Sequence, residues 1–320
     1  MHVPDARGPL TEGLFCALRS ASEDFYSVLP AVRSAAGADA ALALWALHEL
    51  HYRGFDEVGD ALEWDPQLIR VRTLLERDLE ARLRARFTRP EGLSFVEDFF
   101  DWVDDQDGPS LARHVHRVAD RAQVEELLRV RAVYHLKESD PVAWLVPRLG
   151  VRAKAALMEL QYDEYGGGDP NRLHHHRYAR GLQACGLDPT YDAHLALAPT
   201  EILEQNNALS LFGLNRRLRG AALGHLAAFE ATSSLPSRRM AQGLERLGFP
   251  AAMVDYYTEH VEADAVHEQL AVRTIVAALL EEEPELEDDV WFGAFTCLDL
   301  EDRTARTMLA RWGVGEEQVA

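Results

Sequence analysis

Cysteine is scarce. Cys16, Cys185 and Cys297 lie far apart and form no CxxC pair, which argues against a disulfide framework, a zinc ribbon or a dithiol redox motif. They read as reduced, structural residues. Positive charge is also in deficit. The formal net charge of −20 disfavours nucleic acid or an anionic membrane as partner, because both are polyanions. No apolar run approaches the roughly 18 residues of a membrane span, and the polar, turn-rich start MHVPDARGPLTEG does not resemble a signal peptide. These absences lead to the expectation of a soluble, cytoplasmic protein. Strand signals are sparse too. Ala, Leu, Glu and Arg dominate at helical spacing, so the fold reads as all-α.

The apolar periodicity predicts helices near 10–35, 38–53, 67–87, 91–104, 110–137, 141–164, 170–185, 189–194, 200–231, 237–247, 250–282 and 287–312. Breaks are expected at Gly54 to Asp65, Arg89-Pro90, Asp107-Gly108-Pro109, Gly166 to Pro170, Leu235-Pro236 and Gly248 to Pro250. Asp169-Pro170 reads as an N-cap followed by the first helical residue. The acidic stretch 281–289 reads as a solvated turn. Residues 1–90 are expected to form a helical lobe and 91–320 the main domain.

His260, Asp264 and His267 occupy a stretch without Pro or Gly, YYTEHVEADAVHEQL. Their i, i+4, i+7 spacing places them within about 60° of one another on one helical face. Two imidazoles and a carboxylate in that arrangement suit iron, manganese or zinc, although a solvated polar stripe has the same pattern. A complete first sphere needs donors from other helices. Glu230 closes the apolar segment GHLAAFE, where it is either a buried ligand or a helix-end charge. Glu164 precedes Gly166-Gly167-Gly168 and the run His174-His175-His176. Consecutive helical residues point about 100° apart, so the three histidines cannot share one site. The glycines form no phosphate loop, because no Walker lysine follows and no strand precedes them. Glu138, just before Ser139-Asp140-Pro141, is a further donor or a helix-end carboxylate, and His135 one turn earlier competes with it. No Glu-x-x-His occurs, so the ligand pattern is not ferritin-like. No H-E-x-x-H occurs, so the chain is not a metzincin-type protease.

Taken together, these segments resemble the heme-oxygenase-like diiron oxidase and oxygenase family of iron-containing redox enzymes, over roughly residues 110–312. The matching residues are Glu164 in DEYGGG, His174, Glu230 in AAFEATSS, and His260-x-x-x-Asp264-x-x-His267, in that order. Glu138 stands where the N-oxygenating members carry a seventh ligand. The resemblance implies a seven-helix heme-oxygenase-like bundle with an additional N-terminal lobe, two Fe(II)/Fe(III) ions in place of heme, O2 as co-substrate and an external electron donor such as a reductase or ferredoxin. It also implies a small-molecule substrate and a homodimer formed through the N-terminal lobe. The implied reaction is N-oxygenation of a small amine or amino-acid-like metabolite in natural-product biosynthesis. The alternatives are oxidative C–C cleavage, desaturation or decarboxylation of an amino acid or fatty acid and, more remotely, a non-catalytic helical binding protein. A polar amino-acid substrate would need a buried Arg or Lys. Arg177, Arg180 and Arg273 are the sequence candidates, although surface salt bridging is the expected role for each.

Overall fold

The computed structural model describes residues 1–20 and 24–315, and of residues 262–265 the helical backbone alone. Among the described residues there are helices and no strands. The main helices are α1 (Pro9–Arg19), α2 (Gly37–Glu49), α3 (Pro66–Arg84), α4 (Phe95–Asp104), α5 (Leu111–Arg117), α6 (Arg121–His135) and α7 (Val151–Glu164). They are followed by α8 (His174–Ala184), α9 (Thr200–Leu214), α10 (Arg219–Arg246), α11 (Ala251–Gln269), α12 (Ala277–Glu282) and α13 (Glu287–Arg311). The all-α architecture expected from the sequence is what the described residues form.

α10 is the centre of the bundle. It packs along α11 on one side and α13 on another. Two glycines permit the second crossing. A Cβ on Gly224 would lie 1.8 Å from the Val290 carbonyl oxygen, and one on Gly293 would lie 1.8 Å from that of Ala221. The two backbones therefore touch where only glycine fits. Capping residues set several helix starts. Asp65 accepts from the amides of Gln67 and Leu68, and Asp120 accepts from Gln123 N while Gln123 reaches back to Asp120 N.

Several expected boundaries are corrected. Leu235-Pro236 does not break a helix, because α10 runs through Pro236 to Arg246. Packing on α11 and α13 outweighs the roughly 3 kcal/mol cost of an interior proline. The long segments 110–137, 141–164 and 200–231 are each divided. The breaks fall at the Asp120 cap, at extended Leu149-Gly150, and at extended Asn215. The expected helix 10–35 ends at Arg19 and is followed after residue 24 by short turns, while 189–194 forms turns rather than a helix. Asp169 caps a turn, accepting from Asn171 N at 2.9 Å, and α8 begins later at His174. The acidic stretch 281–289 is not merely solvated. Glu281, Glu283, Asp288 and Asp289 pair with Arg152, Arg219, Arg89 and Arg84.

The first 90 residues dock against the bundle through α2, which lies on α9. A buried polar seam joins them. Asn207 donates to the Ala41 carbonyl at 2.8 Å, and Lys137 Nζ meets Glu49 at 3.1 Å with both side chains buried.

Candidate metal centre

Six of the seven sequence candidates converge in the core between α6, α7, α8, α10 and α11. Donor atoms of Glu138, His174 and His260 lie within 4.8 Å of one another, as do those of Glu164, Glu230 and His267. All six residues are buried. The seventh candidate, Asp264, lies outside the described side chains.

Local structure explains the convergence. Glu164 ends α7. Gly166, Gly167 and Gly168 follow with φ of +71°, +64° and +86°, the left-handed region that glycine enters without strain. A Cβ on Gly166 would lie 2.6 Å from Leu173 N. The glycine run thus makes a tight reversal that returns His174, the first residue of α8, to Glu164. Glu138 sits in the turn after α6, before Ser139, whose φ of +71° is rare for a residue with a side chain. That conformation lets the Ser139 hydroxyl donate to Glu164 Oε2 at 2.7 Å. His260 and His267 project from α11, which passes into a π-helical segment at Leu270–Val276. Such widened turns are frequent beside functional sites.

Glu164 faces both clusters. Its Oε2 is 3.2 Å from His174 Nδ1, and its Oε1 is 3.5 Å from His267 Nδ1. Glu230 Oε2 also lies 3.5 Å from His267 Nδ1, and Glu138 Oε1 is 3.8 Å from His260 Nε2. Two of the imidazoles have their outer nitrogen fixed. His260 Nδ1 donates to the Tyr256 carbonyl at 2.7 Å, and His267 Nε2 pairs with Asp163 at 3.0 Å. This leaves His260 Nε2, His267 Nδ1 and His174 Nδ1 aimed inward, each buried and without a hydrogen bond. Orienting the outer nitrogen in this way is how proteins set a metal-ligating histidine.

The electrostatics agree with that reading. No Arg or Lys forms an ion pair with Glu138, Glu164 or Glu230 among the described side chains, although all three are buried. Buried carboxylates require a compensating charge. Burial works to raise the Glu138 carboxyl, and His135, His260 and His174 outweigh it, holding it at about 2. Burial would lower His174, but Glu164, then Glu138 and Asp163, raise it to about 9. Burial pushes Glu230 up, assisted by Glu164 and Glu138 against His267. Burial keeps His260 below its ordinary value. A cation at each cluster would replace shared protons. Three inward orphan nitrogens and three buried carboxylates with no Arg or Lys partner among the described side chains therefore fit two metal ions.

Two cavities adjoin the centre. One of about 20 Å³ is bordered by Glu138, Glu164, Glu230 and His260, and holds little more than a water-sized guest. Gln161 lines it with neither amide atom hydrogen-bonded. The other, of about 550 Å³, is bordered by Glu138 and His260 and also by Gly108 and Asp302. Its wall carries Tyr256, whose hydroxyl donates to Glu138 Oε2 at 2.9 Å and lies 2.8 Å from His135 Nδ1.

The sequence did not single out Tyr256, Ser139, Asp163 or Gln161. Tyr256 lies one turn before His260, and Asp163 and Ser139 adjoin ligand candidates, but adjacency alone does not show which side chains face inward. Among the arginines weighed as substrate cations, surface pairing is the expected role, and Arg177 follows it. Arg177 pairs with Glu259, and Arg273 donates to the Val96 carbonyl. Arg131 and Arg306 are the arginines that line the large cavity, and Arg131 is the more buried of the two. His175 and His176 belong to neither cluster, so one histidine of the run takes part.

No curated protein matches the chain. Residues 125–302 match the family model described as iron-containing redox enzyme, a span that contains every candidate ligand. The chain belongs to this heme-oxygenase-like family of iron-containing redox enzymes.

Proposed function

We propose that the two clusters hold two iron ions and that the protein is an O2-activating non-heme diiron oxygenase acting on a small amine or amino-acid-like metabolite, most simply by N-oxygenation. Glu138, His174 and His260 would serve one ion and Glu164, Glu230 and His267 the other, with Asp264 completing the set. The observation that carries this reading is Glu164, whose two oxygens face separate His/carboxylate clusters. Bound iron would supply the redox chemistry that activates O2, one oxygen atom of O2 going to the substrate and the other leaving as water with two protons and two electrons, the electrons from an external reductase or ferredoxin.

The chain's own residues supply position and protons. The Tyr256 hydroxyl holds Glu138 Oε2 and in turn accepts from His135 Nδ1, giving a hydrogen-bonded path along the cavity wall. His135, Tyr256 and Glu138 can pass a proton between the cavity and the Glu138 carboxylate. The aromatic rings of Tyr134, Phe229 and Tyr257 line the large cavity and limit water beside Glu138. The presence of Arg131, Glu301 and Gln205 in the same wall favours a polar substrate over a long fatty acid.

Anaerobic Fe(II) loading followed by exposure to O2 tests the reading. Uptake of two irons per chain and rapid oxygen consumption are expected. No iron uptake, or uptake unchanged in His260→Ala, overturns it.

A further inference from the structure

Among the described residues, two arginine–carboxylate pairs border the large cavity, Arg306–Asp302 and Arg131–Glu301, and the second shares α6 with His135. Arg131 Nη1 donates to Glu301 Oε2 at 2.8 Å, and its Nη2 meets Oε1. Gln205 Nε2 also donates to Oε2, at 3.0 Å. The Arg131 side chain is 19% exposed, whereas that of Glu301 is 45% exposed and borders the cavity. The pair commits two of the five guanidinium N–H donors. Donors therefore remain on Arg131, and one acceptor direction remains on Glu301.

The charge arrangement selects a ligand. A bare carboxylate approaching Arg131 would meet the repulsion of Glu301. A bare amine approaching Glu301 would meet that of Arg131. A net-neutral ligand carrying both charges on neighbouring groups satisfies both partners without leaving either charge unmatched. The zwitterionic head of an α-amino acid has that form. His135 lies one helical turn beyond Arg131, about 6 Å of rise, and Glu138 follows it. A side chain extending from the head past Tyr134 and Phe229 would point toward Glu138 and His260, which border the same cavity.

We propose that Arg131 and Glu301 form the receptor for the zwitterionic head of a free α-amino acid, whose side-chain end is presented to Glu138 and His260. Arg131 binds the α-carboxylate, Glu301 binds the α-ammonium, and Gln205 steadies Glu301. The reacting atom is then on the side chain rather than the α-nitrogen. Only this last orientation rests on the iron-pair reading; binding of the head does not.

The test is a binding measurement by calorimetry, with the full chain both as purified and after Mn(II) addition. The twenty standard α-amino acids serve as probes, and the tightest is compared with its C-terminal amide and its N-acetyl form. Each derivative is expected to bind at least about tenfold more weakly, since each loses a charge-assisted contact. In Arg131→Gln the discrimination against the amide should vanish while that against the N-acetyl form remains. In Glu301→Gln the pattern should reverse. A structural role alone, tying α6 to α13, would lower stability without exchanging those preferences. Absence of binding by all twenty amino acids, or equal discrimination in parent and variants, overturns the inference. Failure of iron uptake is a separate result and bears only on the metal reading.

Discussion

The two clusters differ in what surrounds them. Glu138 and His260 open onto the 550 Å³ cavity, whereas Glu164, Glu230 and His267 do not border it. The open cluster is held by a chain of hydrogen bonds through Tyr256 and His135. The enclosed one lies beside the π-helical segment and has Asp163 as the outer partner of His267. The difference teaches a division of labour. Under the iron-pair reading, substrate meets the first position, while the second is shielded from the cavity and coupled to the first through Glu164.

The largest effect is expected from Glu164→Ala, which removes the carboxylate common to both clusters. Iron content should fall below one per chain and oxygen consumption by at least about a hundredfold, as expected when a metal ligand is lost. Retention of both ions would break the comparison. Next come His260→Ala and His267→Ala. Each should leave no more than one iron in most chains, but only His260→Ala should alter the spectrum when a ligand enters the large cavity. Identical spectral responses in the two variants would erase the distinction between open and enclosed positions.

A smaller effect concerns pH. His174 has its folded pKa raised to about 9, above the ordinary 6.5, so its contribution to metal-free stability is full below 6.5 and lost as pH rises through 9. A metal ligand must be the neutral imidazole, so metal affinity moves in the opposite direction. The rise in Tm caused by Mn(II) should therefore grow between pH 6.5 and 9, measured by calorimetry. A constant shift across that window would show that His174 does not exchange a proton for metal. The smallest effect is expected from Tyr256→Phe. It removes one hydrogen bond to Glu138, costs about 1 kcal/mol, and should lower affinity at the open position alone.

Much of this centre was legible as residue types at helical spacing. His260 and His267 share a face because α11 is uninterrupted between them, and the glycine run announced a reversal between Glu164 and His174. Glu138 was harder to place, because its position depends on the left-handed conformation of Ser139, which no local pattern signals. The Arg131–Glu301 pair joins residues 170 positions apart, and nothing along the chain links them before α6 and α13 come together. Pro236 shows the limit of local rules. It reads as a breaker, yet it lies inside α10 because that helix is packed on two sides. Asp264 was expected as a ligand from the same face as His260, and its side chain lies outside the described residues.

Elemental analysis of the anaerobically Fe(II)-loaded chain, run beside Glu164→Ala, tests the central claim most directly. The account predicts two irons per chain in the parent and fewer than one in the variant. A single iron in the parent, or two that persist without Glu164, would contradict it.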